Sequence, residues 1–228
     1  MGRIYIIIID IKLLMVYYTI CREVASMALE VGATVLGLIQ GYLAMINKRS
    51  NWIFYIFQML LLIFFSLINH LYGDVFNNSI YLVMGVVGFI LWNTNNDSSK
   101  ITKCGVKERV LYCLIILVGT LFVGNRLSTT DDPLPWLDGF TTVSSLVATY
   151  YMMKKKIDTW IIWFVNDIFY AVEYYLLPDQ AFYLFLLNLV WTVMAVGSYY
   201  NWRKIMKEGD KDDKNVLFRH LPKEARAY

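Results

Sequence analysis

At 228 residues, 58% hydrophobic and only 17% charged, with a mean hydropathy of +0.48, the chain is too apolar for a soluble domain, where the apolar share is about 45–50%. Its formal charge of +3 is local. Residues 203–228 carry eight basic and five acidic side chains and the other 202 residues balance at thirteen each, so no basic face for nucleic acid follows. Three cysteines (Cys21, Cys104, Cys113) and two histidines (His70, His220) have neither metal-ligand spacing nor an even disulfide count, so no metal or other cofactor is expected.

The first apolar run, residues 4–20, is split by Asp10 and Lys12. It lacks the small-residue cleavage site of a signal peptide and reads as an interfacial helix lying on the bilayer, with an extra span as the alternative. Seven stronger runs follow, at 24–46, 52–69, 79–92, 110–124, 137–153, 160–177 and 182–202. Several are nearer 15–18 residues than 20, with ends fixed only to within a few residues, and together they make the chain an all-α polytopic membrane protein. Pro133, Pro135 and Pro178 mark breaks between runs. The organisation expected is an N-terminal interfacial segment (1–23), three helices (24–92), a linker helix with its loops (93–136), three more helices (137–202) and a tail (203–228).

Lys and Arg concentrate in alternate loops: Lys48 and Arg49; Lys100, Lys103, Lys107 and Arg109; Lys154–Lys156; and the tail. These lie on one side of a seven-span protein, and the positive-inside rule makes that side, with the C-terminus, cytoplasmic.

The sixth run, WIIWFVNDIFYAVEY from Trp160 to Tyr174, is apolar yet contains Asn166, Asp167 and Glu173. Ionisable groups in hydrocarbon are costly and usually face a bundle interior or a wet cavity. At helical spacing Trp160, Trp163, Asp167, Tyr170 and Tyr174 fall along one face, with Asn166 beside it. Aromatic plates with an acid and an amide suit a flat, polar, cationic small molecule. An interfacial aromatic belt would explain Trp160 and Trp163 but not Asp167, which lies deeper.

The chain also reads as a duplication. NKRSNW (47–52) resembles KKIDTW (155–160), Glu30 and Asp138 each lie 22 residues before those tryptophans, and Trp92 and Trp202 close the two halves 40 and 42 residues after them. With an offset near 108, 24–92 matches 137–202. One intervening span makes the halves run parallel, a known transporter plan with its site near the midplane. Trp52, Tyr55 and Gln58 then match Trp160, Trp163 and Asn166, while Asn188 and Trp191 in the last span are further candidates to contact substrate. Gly37, Gly41, Gly85 and Gly88 permit close helix approach and are assigned packing roles.

Several of these stretches resemble the PnuC family of bacterial vitamin transporters: KRSNW, LYGD and YLVMGVVGFILW in the first half, and WLDGFTTVSSLVATYYMMKKKIDTWIIWFVND with GSYYNW in the second. Trp160, Trp163 and Asn166 form the most specific part. The resemblance implies a 3+1+3 helix arrangement similar to the sugar-transporting SWEET proteins. It also implies facilitated uptake of an unphosphorylated vitamin across the inner membrane, and trapping by a cytoplasmic kinase. Nicotinamide riboside is the first expectation; thiamine, riboflavin and deoxynucleosides are alternatives, and homotrimers occur among relatives. No phosphate-binding loop of the form G-x-x-x-x-G-K-[ST] is found, and no nucleophile–base pair marks an enzyme. The competing reading is a membrane sensor or interaction protein, for which the 26-residue tail is too short to be an output domain.

Overall fold

The computed structural model describes residues 2–94, 100–176 and 182–220. They form α1 (Gly2–Met45), α2 (Asn51–Ile68), α3 (Tyr72–Thr94), α4 (Val106–Leu127), α5 (Pro135–Met153), α6 (Thr159–Leu176) and α7 (Phe182–His220). By length and composition, four described segments can cross a membrane: Tyr17–Met45, Asn51–Ile68, Tyr72–Asn93 and Val106–Leu127. The chain is therefore an all-helical, multi-pass membrane protein. Helix α5 carries five Thr and Ser side chains and α6 carries Asn166, Asp167 and Glu173.

Several boundaries differ from those expected: α3 begins at Tyr72 rather than near 79, and α4 runs Val106–Leu127 rather than 110–124. Residues 4–20 and 24–46 do not separate; α1 runs unbroken through both, because no proline or glycine interrupts the chain between Gly2 and Gly32. The last helix does not stop near Trp202 but continues to His220, with no proline between Phe182 and His220 to end it. The break expected at Pro178 and the end of the tail lie outside the described residues.

Three helices end in the same way, with a non-glycine residue in the left-handed conformation: Asn47 (φ 56°), His70 (φ 59°) and Lys155 (φ 50°). Each makes a paired closure of the helix C-terminus. After α1, Asn47 N–H donates to Ala44 O at 2.9 Å and Lys48 N–H to Leu43 O at 2.8 Å. After α5, Lys155 N–H donates to Met152 O and Lys156 N–H to Tyr151 O, both at 3.0 Å. His70 and Leu71 do the same after α2, to Leu67 and Ser66. This is the Schellman arrangement, which satisfies carbonyls that a helix end otherwise leaves orphaned. Asn47 and Lys155 are 108 residues apart.

The chain divides into two compact units. The first comprises Met1–Gln40 and Ser50–Val86. In it α2 packs on the glycines of α1, and Asn69 Nδ2 donates to Ser26 Oγ at 2.8 Å.

The second comprises Gly41–Arg49 and Val87–Tyr228. Its consecutive helices pack in sequence, α4 on α5, α5 on α6 and α6 on α7. Helix α5 is the most enclosed, with eleven buried residues among its 19. Its hydroxyls survive burial by donating to their own backbone: Ser145 Oγ to Thr142 O at 3.0 Å and Thr149 Oγ1 to Ser145 O at 2.8 Å.

The loop ends of this unit are tied together by tryptophans. Trp92 Nε1 donates to Met152 O and Met153 O at 3.3 and 3.2 Å, at the end of α5. Trp202 Nε1 donates to Ala44 O at 2.9 Å, at the end of α1. The Trp202 ring meets Trp92 at 6.2 Å and Trp160 edge-on at 5.3 Å. Lys155 Nζ lies 4.3 Å from the Trp92 ring centre, and Arg49 lies 4.1 Å from that of Phe89 while donating to Asn93.

A polar staple completes this end. Asp158 is fully buried; its carboxylate accepts Cys104 N–H at 2.8 Å and Arg109 Nε at 2.7 Å. Thr102 and Ile157 exchange backbone bonds with this loop, Thr102 N–H to Lys155 O at 3.1 Å and Ile157 N–H to Thr102 O at 2.9 Å. Glu108 accepts both Gly105 N–H at 2.8 Å and Lys156 Nζ at 3.2 Å. Burial, with Asp158 next in effect, pushes the Cys104 thiol up to about 12.

Candidate substrate site

The expected α6 stripe does not face one neighbour. Because α6 packs on both α5 and α7, a row at heptad-like spacing slopes across two partners. Trp160 is buried against Trp202, and its indole N–H has no acceptor among the described residues. Trp163, half-buried, packs on an apolar cluster of Cys104, Val147, Ala148, Tyr151 and Ile162. Tyr170 and Tyr174 stack on each other at 6.1 Å with an interplanar angle of 13°.

The polar residues of α6 are more distinctive. Asn166 is fully buried. Ser144 Oγ on α5 donates to its Oδ1 at 2.6 Å, while its Nδ2 has no acceptor among the described residues. Asp167, only 6% exposed, makes no hydrogen bond or ion pair among the described residues. Glu173 is buried too, but it accepts Thr141 Oγ1 at 3.3 Å. Asn166 and Asp167 are thus consecutive buried residues of α6 that offer, among the described residues, an unspent donor and an unspent acceptor. Such groups are costly to leave unmatched away from water, and a polar ligand would satisfy them.

On α7, Asn188 is buried and Trp191, one turn on, is half-buried. Trp191 lies against Gly41 near the end of α1, where an added Cβ would come within 2.5 Å of its Cζ3.

The first unit repeats this use of glycine. Tyr55 is buried edge-on to Trp52 at 5.6 Å and lies over Gly85, where a Cβ would be 2.8 Å from its Cδ1. Gln58 is half-buried over Gly37, with 2.5 Å between a Cβ there and its Nε2. Three of the four glycines read from sequence as packing elements therefore each seat a side chain read separately as a site candidate. Nothing in the linear sequence connects Gly41 with Trp191, 150 positions away. The Ser144–Asn166 bond was equally illegible, although the serine and threonine richness of 137–153 was a signal that buried hydroxyls would occur there.

Among the described residues, α6 thus holds a buried acid without a partner and a buried amide whose N–H group has no acceptor. The chain belongs to the nicotinamide mononucleotide transporter family, whose model matches residues 27–204; this is the PnuC family, a family of membrane transporters and not of enzymes. It is 27% identical over 174 residues to the nicotinamide riboside transporter PnuC of Neisseria mucosa, covering 71% of this chain and 66% of that protein. A PnuC of Haemophilus influenzae is 25% identical over 134 residues, covering 56% and 58%. The riboflavin/roseoflavin transporter RibM of Streptomyces davaonensis is 27% identical over 144 residues, covering 59% and 66%. The aligned part thus spans less than two thirds of each of these relatives, 58–66% of their length. The fold is similar to the crystal structure of the vitamin B3 transporter PnuC, with TM-score 0.63 and 26% identity over 79% of this chain and 82% of that one.

Proposed function

We propose that this protein carries an unphosphorylated vitamin, nicotinamide riboside before others, across the bacterial inner membrane by facilitated diffusion. The observation that carries this reading is the buried Asn166–Asp167 pair with its unspent donor and acceptor. A pyridinium riboside supplies both complements: a delocalised cation for Asp167, and hydroxyl or carboxamide oxygens for the Asn166 N–H group. Trp191 and Trp163 supply rings on which a flat cation gains about 0.5–2 kcal/mol. Asn188, Tyr170, Tyr174 and Glu173 complete the second-half candidates; Trp52, Tyr55 and Gln58 are their counterparts in the first half. Trp160 is better explained by its contact with Trp202.

The 3+1+3 arrangement is part of the proposal. It is supported by the matched left-handed closures at Asn47 and Lys155 and by the two closing tryptophans, each bonded to the end of a helix in the other sequence half. The basic loops put the C-terminus in the cytoplasm. There a kinase phosphorylates the arriving solute and traps it, and a homotrimer is the assembly expected from the resemblance.

The test is calorimetry on detergent-purified protein with nicotinamide riboside, thiamine, riboflavin and a deoxynucleoside, repeated for Asp167→Asn and Trp163→Ala. One ligand should bind, and the loss of the Asp167 charge should weaken a cationic ligand more than a neutral one. Absence of binding by the whole panel would overturn the cargo assignment. Tight riboflavin binding indifferent to Asp167→Asn would move the assignment to a flavin.

A further inference from the structure

Gly41 lies in the α1 segment that belongs to the second unit, alongside α7. An added Cβ at Gly41 would sit 2.5 Å from Trp191 Cζ3, 3.2 Å from Trp191 Cη2 and 3.0 Å from Met194 Cε. The methionine is flexible and can turn away. The indole is a rigid plate that moves only as a whole.

The backbone cannot retreat instead. Three and four residues further along α1, the carbonyls of Ala44 and Met45 are held by α7: Trp202 Nε1 donates to Ala44 O at 2.9 Å and Asn201 Nδ2 to Met45 O at 2.8 Å. Gly197 approaches Met45 closely as well, at 3.7 Å from a Cβ position to Sδ. The seam is therefore pinned beside Gly41, and any atom added there is transmitted to Trp191. Trp191 in turn lies one helical turn beyond the buried Asn188, so that a ring plate and an amide share one side of α7.

We propose that Gly41 is a positioning residue that sets the place of the Trp191 ring and so helps determine which solute the protein accepts. This rests on the reading of Trp191 as a ring plate for substrate. Gly41 touches no substrate; it acts through the indole.

A double-mutant cycle tests this. Nicotinamide riboside affinity and thermal unfolding are measured for the wild type, Gly41→Ala, Trp191→Phe, Gly41→Ala/Trp191→Phe, Met194→Ala and Gly41→Ala/Met194→Ala, with Asn166→Ala alongside. Phenylalanine keeps a stacking ring while removing the Cζ3 and Cη2 atoms that a Cβ at position 41 would strike. Gly41→Ala alone should weaken binding about tenfold. In the Trp191→Phe background the same change should have no effect on affinity, and in the Met194→Ala background it should keep its full effect. If Gly41→Ala proves too unstable to purify, the Trp191→Phe double variant should restore folding and bind as Trp191→Phe does.

The inference is overturned if Gly41→Ala binds like the wild type, if Met194→Ala rather than Trp191→Phe cancels its effect, or if the Trp191→Phe double variant remains unfolded. Asn166→Ala separates this failure from that of the wider reading. A weakened Asn166→Ala with an unaffected Gly41→Ala removes only the role of Gly41. A wild type that binds no nicotinamide riboside removes the cargo assignment itself.

Discussion

Replacing Asn166 separates substrate binding from helix packing, because its two amide atoms have different partners. Its Oδ1 takes the Ser144 hydroxyl at 2.6 Å, and its Nδ2 is unspent among the described residues. In Asn166→Ala the Ser144 hydroxyl is not orphaned, since Phe140 O also lies 2.6 Å from it. The fold then loses one hydrogen bond and a small volume, about 1 kcal/mol, or roughly 2–4 °C in unfolding temperature for a chain of this size. Binding loses a desolvated donor that the ligand had matched, about 1–3 kcal/mol, which is roughly 5- to 150-fold in Kd. Ser144→Ala removes only the group that orients the amide and should weaken binding less. The double variant should be no worse than Asn166→Ala alone, because Ser144 acts through Asn166. Calorimetry and thermal unfolding on the same preparations read both quantities. Affinity within twofold of wild type for Asn166→Ala would refute the reasoning; so would additive losses in the double variant, which would give Ser144 an independent contact.

Asp158→Ala leaves Cys104 N–H without its buried acceptor and Arg109 without its ion pair. Because Arg109 is half-exposed, the loss should be about 2 kcal/mol, read as an unfolding temperature lower by roughly 4–8 °C. Trp202→Phe removes one N–H but leaves Ala44 O still accepting Asn47 N–H, so it should cost only about 1 kcal/mol. Trp202→Ala also empties a fully buried site between Trp92 and Trp160 and should cost about 3–5 kcal/mol. With its pKa pushed up to about 12 by burial and then by Asp158, the Cys104 thiol should resist iodoacetamide at pH 8 and react only as pH rises toward that value. In Asp158→Ala, where both the negative charge and the loop closure are gone, labelling should begin at lower pH; unchanged labelling would separate the thiol's protection from Asp158.

What the sequence determined by itself was whatever depends on solvent and spacing. Apolar runs divided by charged loops dictated helices in a membrane, since no other backbone arrangement there satisfies its own hydrogen bonds without closing a barrel. The same reasoning marked Asn166 and Asp167, because an acid inside an apolar run is informative before any partner is known. The tertiary structure decided what each side chain meets. It separated Trp160, turned to Trp202, from Asp167, which has no hydrogen-bond or ion-pair partner among the described residues. It joined residues 4–20 to the following helix, since helix propagation continues until something interrupts it and nothing there does. It also paired Gly41 with Trp191 and Gly37 with Gln58. A glycine's role is defined by the atom occupying the space its side chain would fill, and that atom comes from a distant part of the chain or a neighbouring helix, where only packing can put it.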